Sequence, residues 1–355
     1  MANRWIDGLG RYGGDEAAML NGSSGQAWAQ VDGGFSLSSA NPRTGSWCLR
    51  QGTGLSTAQW ARRVFGAQLT EVLLGRAIYC HSLPTAENFA ISLWSLRDQS
   101  NGEQLNIILG TDGAIDVHAG GTQTSLGRSD PCIGAGAYQH IELYAKAGNG
   151  TGAIEIRVDE VTRLNLTGID TVATANVEFS QFRFGYSGSG GTAMIDHADF
   201  FCNDTVDDGS GCNWFVGDSK SGLLLPNANT AQADFALSAG SSGYALIGET
   251  PADDATYLST SASTAESDFG LQDSPANLSE ILTVRPFIRA MKDDAGTCTV
   301  APNMKSSGIK GTVDDQPITS AFAYYDSNVP TDPATGVPWT KSGIDAANMV
   351  VERVS

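Results

Sequence analysis

The sequence predicts an all-β chain built as two β-sandwich domains in tandem. Three observations carry that prediction. Of 355 residues 42 are glycine and only 17% are charged. That composition suits short strands joined by tight turns, and it does not suit long surface helices rich in Lys, Glu and Arg. Most segments between turn signals alternate apolar and polar residues with the period of two of a half-buried strand. These segments recur at even spacing up to residue 204, stop at an acidic Gly/Ser-rich stretch, and resume after it. Length agrees: at roughly 150 residues per domain, 355 residues make two.

In chain order, GSWCLRQ (45–51) alternates, RAIYCHSL (76–83) is a mostly apolar run, and NFAISLWSLRD (88–98) places Phe89, Ile91, Leu93 and Ser95 on one side. QLNIILGTDGAIDVHAGG (104–121) reads as two strands about Thr111-Asp112-Gly113, a turn in which glycine takes positive φ. QHIELYAKAG (139–148) turns Ile141, Leu143 and Ala145 inward. TGAIEIRVDEVTRLNLTG (151–168) alternates, turns at an acidic pair and alternates again. SQFRFGYSG (180–188) and TAMIDHADFFCND (192–204) complete a set that predicts an antiparallel sandwich or jelly roll. STAQWARRVFG (56–66) is the best candidate for a short helix, and GIDAANMVVE (343–352) is an ambiguous one.

DTVDDGSGCN (204–213) has no hydrophobic period and reads as a linker. The predicted boundaries are a first domain over 1–205, a linker over 206–216 and a second domain over 217–355. In the second, VGDSKSGLLLPNANTAQADF (216–235), GYALIGE (243–249), EILTVRPFIRAMKDDAGTCTVAPNMKSSG (280–308), AFAYYDSN (321–328) and NMVVERVS (348–355) read as strands. KDDAG (292–296) is a turn between two long ones. Val284, Pro286, Ile288 and Ala290 share a face, and Pro286 indicates an edge strand or a bulge. The start, MANRWIDGLGRYGG, reads either as the first strand of the first domain or as an arm docking on a neighbour through Trp5, Ile6 and Leu9.

A formal charge of −18 repels nucleic-acid phosphates and anionic lipid, so neither is a predicted partner. No run of ~18 apolar residues predicts a membrane span, and the N-terminus lacks a signal-peptide pattern, which places synthesis and folding in a cytoplasm. Cys48, Cys80, Cys132, Cys202, Cys212 and Cys298 form no CxxC and no regular framework, as buried thiols do. Cys202 and Cys212 could form a local disulfide in an oxidising medium.

Glu155, Arg157 and Asp159 form a charged row on one strand face, opposite Ile154, Ile156 and Val158. A retaining glycosidase needs two carboxyls about 5 Å apart. Four residues at ~3.3 Å each put Glu155 and Asp159 ~13 Å apart, so the row reads as the wet side of a hairpin. His81, His118, His140 and His197 form no zinc-binding spacing; Asp199 could share a sheet face with His197 and hydrogen bond to it. No Gly-x-Ser-x-Gly elbow and no phosphate-binding glycine loop is present. No catalytic residue is predicted, and the chain is expected not to be an enzyme. Trp60, Trp94, Trp214, Trp339, Tyr324 and Tyr325 are candidate sugar-stacking aromatics. Trp214, beside Phe215, is expected to pack between the domains. Trp339, after a proline, is expected on a loop that caps the second domain or contacts a neighbouring subunit. Trp5, Trp214 and Trp339 are the candidates for glycan or subunit contact.

YQHIELYAKAGNGTGAIEIRVDEVTRLNLTG (138–168) resembles the core signature of laminin G-like, concanavalin A-like jelly rolls, an aromatic-His-hydrophobic strand followed by a hairpin ending in V-D-G. Tyr138 stands where Trp is commoner. Glu160 replaces the usual Gly, which indicates a turn other than type I′. FSQFRFGYSGSGGTAMIDHADFFCND (179–204) resembles the end of such a domain. With NRWIDGLGRYG, GDSKSGLLLPN, YALIGETPADDATYL, IRAMKDDAGTCTVAPNMKSSG, AFAYYD and TDPATGVPWT in order, nearly the whole chain is similar to a group of virion proteins of tailed bacteriophages and prophages. The resemblance implies a concanavalin A-like/laminin G-like jelly roll for the first domain. It also implies a structural or accessory virion protein of tail, fibre or capsid decoration, assembled in the host bacterial cytoplasm. Its expected partners are other virion subunits, including further copies of itself. The alternative reading is a lectin-like, carbohydrate-binding module for host-surface attachment; a glycan-cleaving enzyme ranks third. Laminin G-like domains often hold calcium at the sandwich rim, for which Asp204, Asp207 and Asp208 are the candidates; no other cofactor is predicted.

Overall fold

The computed structural model describes residues 5–9, 12, 28–43, 47–52, 58–85, 91–120, 124–186, 193–206, 214–250, 252–276, 278 and 280–355. The chain divides into two units. The first takes Met1–Leu9, Trp28–Val206 and Asn213–Ser221; the second takes Gly10–Ala27, Asp207–Cys212 and Gly222–Ser355. Both are all-β, as the composition predicts. Among the described residues no helix is long and apolar enough to cross a membrane.

The first unit is a jelly-roll sandwich of strands β1 (Trp5–Asp7), β2 (Gln30–Val31), β3 (Phe35–Ser38), β4 (Cys48–Gln51), β5 (Gln59–Leu69), β6 (Glu71–Cys80), β7 (Ile91–Arg97), β8 (Glu103–Leu109), β9 (Ile115–Ala119), β10 (Thr124–Arg128), β11 (Tyr138–Lys146), β12 (Gly152–Val158), β13 (Val161–Ile169), β14 (Phe179–Tyr186) and β15 (Ile195–Asn203). One sheet runs β13-β12-β11-β6-β15-β4-β3, with β1 also on β15; the other runs β10-β9-β8-β7-β14-β5-β2. Of the N-terminal segment, Trp5–Asp7 is therefore a strand of this sheet, with Trp5 opposite Cys202.

Alternation decides what lies between the sheets. Ile154, Ile156, Val158, Ile141, Leu143 and Ala145 are fully buried, on the faces the sequence assigns them. Trp28 meets the rings of Phe182, Phe184 and Phe200 edge-on at 6.3, 5.5 and 4.9 Å. Such a centre removes hundreds of square ångströms of aromatic surface from water. Arg76 is buried in the same layer, with its guanidinium 4.8 Å from the Trp94 ring and 4.1 Å from that of Phe184. Burial lowers its pKa to about 9.

Four local expectations are corrected. Of the expected helix over 56–66, the described residues 58–66 hold none; β5 begins at Gln59 and pairs with β2 and β14. Trp60/Val64 and Ala61/Phe65 fit an i, i+4 spacing as well as a period of two, so the pairing partners decide. The hairpin turn has φ of 50° at Asp159 and 66° at Glu160, with Val158 paired to Val161. Positive φ at both central residues of a two-residue loop is the type I′ signature, so Glu160 does not prevent it. Contacts from outside hold the turn: Asp159 Oδ1 accepts from the His140 amide at 2.8 Å, and Glu160 Oε1 from the Asp218 amide at 3.3 Å. His197 and Asp199 form no pair. A bulge between Ala198 and Phe201 puts Asp199 at φ 51°, and His197 faces Gln51 instead. In β7, Leu93 is the extra residue of a bulge between Ser92 and Trp94. It leaves Ser95 on the face away from Ile91, and Phe89 lies outside the described residues.

The second unit contains β16 (Pro226–Ala233), β17 (Ala236–Leu237), α1 (Gly243–Ile247), β18 (Leu258–Ser259), β19 (Glu266–Leu271), β20 (Phe287–Ala290), β21 (Thr299–Ser306), β22 (Ile309–Lys310), β23 (Gln316–Pro317), β24 (Ala323–Asp326), α2 (Lys341–Asp345) and β25 (Asn348–Arg353). Its main sheet runs β16-β19-β25-β21-β22, with β23 on β21, and β17–β18 and β20–β24 are separate ribbons. Phe269, Met304, Met349 and Val351 of the sheet pack with Val329, Trp339 and Ile344. The segment 243–249, expected as a strand, contains a one-turn helix. The 343–352 stretch divides into the end of α2 and the strand β25. KDDAG joins strands of different sheets, so it is no hairpin turn. Pro286 stands just before β20, where its missing N–H costs no ladder bond, and its carbonyl accepts from the Ser327 amide at 3.0 Å. Trp339 is corrected as well. It is 3% exposed and its Nε1 donates to the Val329 carbonyl at 2.8 Å, so it is a core residue and no surface for glycan or subunit.

Candidate functional site

The outer face of the eight-stranded sheet carries the Glu155 row, and there most charged side chains are engaged by the chain itself, although Glu142 Oε2 and both His140 ring nitrogens are buried without a hydrogen-bond partner. Glu155 Oε1 accepts from Arg157 Nε and from Thr162 Oγ1, both at 2.9 Å. The Arg157 guanidinium also stacks 3.9 Å from the Phe215 ring. Trp214 leans on Tyr144 at 4.9 Å and on Phe215 at 5.2 Å, and is 44% exposed. Its partners within the first unit are thus strand and segment residues of that unit. Glu142, buried, accepts from the amides of Val216 at 2.7 Å and Gly217 at 3.1 Å, and burial pushes its carboxyl up to about 7. Arg43 reaches Asp199 at 3.0 Å, the Ser219 carbonyl at 3.2 Å, and Asp218. Asp196 holds Arg50 through two bonds of 2.7 Å and His81 at 2.8 Å. Residues 214–221 thus lie across this face as a strap.

The outer face of the seven-stranded sheet is built differently. Cα partners in register share a face. Following them strand by strand gives Gln30, Arg62, Arg183, Ser95, Asn106, His118 and Ser125, one from each strand from β2 to β10. A second, shorter row of Gln181, Arg97 and Glu103 lies beside it. On the other side Trp60 is opposite Gly185. Inward neighbours such as Phe184, Leu96, Ile107 and Val117 are buried, which fixes the direction of the row.

Arg183 lies with its guanidinium 3.7 Å from the Trp60 ring and 3.5 Å from Glu103 Oε2. The same oxygen accepts from Ser95 Oγ at 2.7 Å and from Arg97 at 3.2 Å. Ser92 Oγ donates to Asn106 Oδ1 at 2.7 Å, and His118 Nε2 is 3.5 Å from Asp116, which also holds Ser125 and Arg128. Burial, and then Arg97, lower the Arg183 pKa to about 10, with Arg62 adding to the effect; the group stays cationic at neutral pH. The Nε atoms of Arg62 and Arg183 and the Nδ1 of His118 are buried without a hydrogen-bond partner. Buried polar atoms are nearly always paired, so this face has unused donor capacity.

The sequence-predicted residues fall elsewhere. Trp94, Tyr324, Tyr325 and Trp339 are buried, and Trp60 is capped by Arg183. The backbone of Trp5 is in β1, but its side chain lies outside the described residues. Asp207 and Asp208, two of the three calcium candidates, lie outside them too, and Asp204 is half-buried near the end of β15. Among the described residues no group of three His, Cys, Asp or Glu side chains could hold a metal. Cys48, Cys80, Cys132, Cys202 and Cys298 are free thiols, and Cys212 lies outside the described residues.

No family model and no curated protein matches the chain. Solved structures do. An endo-β-1,4-glucuronan lyase from the fungus Trichoderma reesei matches at 16% identity over 50% of this chain and 90% of its own, with a TM-score of 0.38. An alginate lyase, Aly36B, matches at 16% identity over 47% and 86%, with a TM-score of 0.35. Lectin II from Ulex europaeus matches at 8% identity over 48% and 93%, with a TM-score of 0.32. The likeness is one of fold, the jelly-roll sandwich. The expectation that the chain is not an enzyme is withdrawn: polysaccharide lyases stand among the matched structures, and a sandwich fold by itself fixes no function. Physically, the spacing of Glu155 and Asp159 tests carboxylate pairs along one strand. It is blind to residues that register brings together across strands.

Proposed function

We propose that the first unit binds carbohydrate along the outer face of its seven-stranded sheet. The observation that carries this reading is the unbroken row of seven hydrogen-bonding side chains, one per strand. Six strand spacings of ~4.8 Å make the row about 29 Å long, a shape for an extended chain of sugars rather than a compact ligand. Guanidinium, amide, imidazole and hydroxyl groups supply donors and acceptors for sugar hydroxyls. Mounting on paired strands fixes their positions before binding, which lowers the entropy lost on association. The test is affinity electrophoresis of the whole chain through gels containing neutral or acidic polysaccharides, with reducing-end release measured on the retained polymers to separate binding from cleavage. Retardation by at least one polymer, lost in His118→Ala/Asn106→Ala, is expected. Unchanged mobility in every gel would overturn the reading.

The ordered motifs over both domains support a finer statement, that this glycan-binding unit belongs to a tailed-bacteriophage particle and packs against other virion subunits. Antibody labelling of intact particles in the electron microscope tests it; labelled heads, tails or fibres are the expected result, and unlabelled particles contradict it.

A further inference from the structure

We propose that the ligand of the seven-stranded face is an acidic carbohydrate and that Arg62 and Arg183 take its carboxylate between them. The inference rests on the carbohydrate-binding reading and adds the chemical class. Arg62 and Arg183 are direct cross-strand partners, a placement that sets two positive charges side by side and is unfavourable without an anion. Arg97 stands on the next strand, at the Gln181 position beside Arg183. Against these three guanidiniums Glu103 serves Arg97 at 3.2 Å and Arg183 at 3.5 Å, while Asp32, beside Arg62's cross-strand partner Gln30, is taken by the Gln30 side chain at 2.6 Å and the Trp60 amide at 2.8 Å. The Asp116 carboxylate is engaged by Arg128, Ser125 and His118. Among the described residues the Arg62 side chain has no hydrogen-bond or ion-pair partner, and its Nε is buried.

The chain as a whole makes this more telling. It carries 39 Asp and Glu against 21 Lys and Arg, so acidic side chains are abundant, yet among the described residues none pairs with Arg62. Elsewhere in the same unit arginines find carboxylates at 2.7–3.0 Å, as Arg50 does on Asp196 and Arg43 on Asp199. A guanidinium presents a planar fork that matches a carboxylate through two parallel hydrogen bonds. Arg183 is already oriented by its stacking on Trp60 and its contact with Glu103, so it meets an anion without rearrangement. A densely charged polyanion is disfavoured by the field of a −18 chain. One carboxylate per sugar, interspersed with hydroxyls, fits a face where cationic residues are flanked by Asn106, Ser95 and Gln30.

The experiment measures binding of the whole chain to polyglucuronate, polygalacturonate and polymannuronate. Each is paired with its carboxyl-reduced neutral form and with a sulfated neutral glucan of similar length. Wild type is expected to favour an acidic polymer over its reduced partner by at least tenfold, with the preference shrinking as salt rises. Arg62→Gln should remove that preference, and Arg62→Lys, which keeps charge and loses the fork, should restore part of it. Unchanged thermal unfolding of both variants shows that the fold is intact. Equal binding of acidic and reduced forms overturns the carboxylate assignment and leaves the carbohydrate reading standing. Preference for the sulfated glucan overturns the assignment in favour of sulfate. Binding of none of the polymers overturns both.

Discussion

On one outer face of the sandwich Glu142 is closed over by two amides of its own chain; on the other, among the described residues, the Arg62 side chain has no hydrogen-bond or ion-pair partner. The strap 214–221 explains the first. It brings Val216, Gly217, Asp218 and Phe215 onto β11 and β12, and each finds a polar or aromatic partner there. Among the described residues no such segment engages Arg62 and Arg183. Burial and a shifted pKa occur on both faces, so neither marks function by itself. The difference lies in what covers the shifted group: the strap donates two amides to one Glu142 oxygen, while the other oxygen stays unpartnered.

The comparison can be broken at several points. The largest effect is expected for Glu142→Ala. It leaves two half-buried amides without an acceptor, and at the low end of ~1–3 kcal/mol for each such group the loss in unfolding free energy should be about 2 kcal/mol by chemical denaturation. Arg62→Gln should stay within about 0.5 kcal/mol of wild type; a larger loss would mean that Arg62 is structural.

Next comes pH. The Glu142 carboxyl is raised from 4.5 to about 7 in the folded chain, so the protonated form binds its proton more tightly folded than unfolded. That contribution to stability is complete below pH 4.5 and is lost as pH rises through 7. Glu142→Gln should flatten the stability profile over that window, and a profile identical to wild type would show that Glu142 does not titrate there.

Trp214→Ala should cost about 1 kcal/mol, the scale of one aromatic pair, because the ring is half exposed and rests on Tyr144 and Phe215. Calorimetry that shows no change in Tm would mean that the strap is held by Glu142 and Arg43 without it.

The smallest effect is expected for Glu160→Gly. Relief of a left-handed residue gains roughly 1 kcal/mol. Loss of the Asp218 contact and the added freedom of the unfolded chain offset part of it, for a net stabilisation of about 0.5 kcal/mol in denaturant titrations.

The core hairpin of residues 151–168 is legible in the sequence because its alternation is local: Ile154, Ile156 and Val158 name their own face. The polar row is not legible. It needs β14 to lie between β5 and β7, strands about a hundred residues away in the chain, and it needs the bulge at Leu93 to turn Ser95 outward. Trp339 misleads for a related reason. Its flanking Pro and Gly mark a loop correctly, but only the fold shows that the loop delivers its indole into the core. Single-residue signals of exposure fail where tertiary contacts decide, and cross-strand sites appear only once register is known.

The most direct test of the central claim is arginine modification by phenylglyoxal, read residue by residue by mass spectrometry, with and without a saturating acidic oligosaccharide. Slowed modification of Arg62, with Arg157 on the opposite face reacting at the same rate in both samples, is the predicted result. An unchanged rate at Arg62, or protection of Arg157 instead, would contradict the assignment of the binding face.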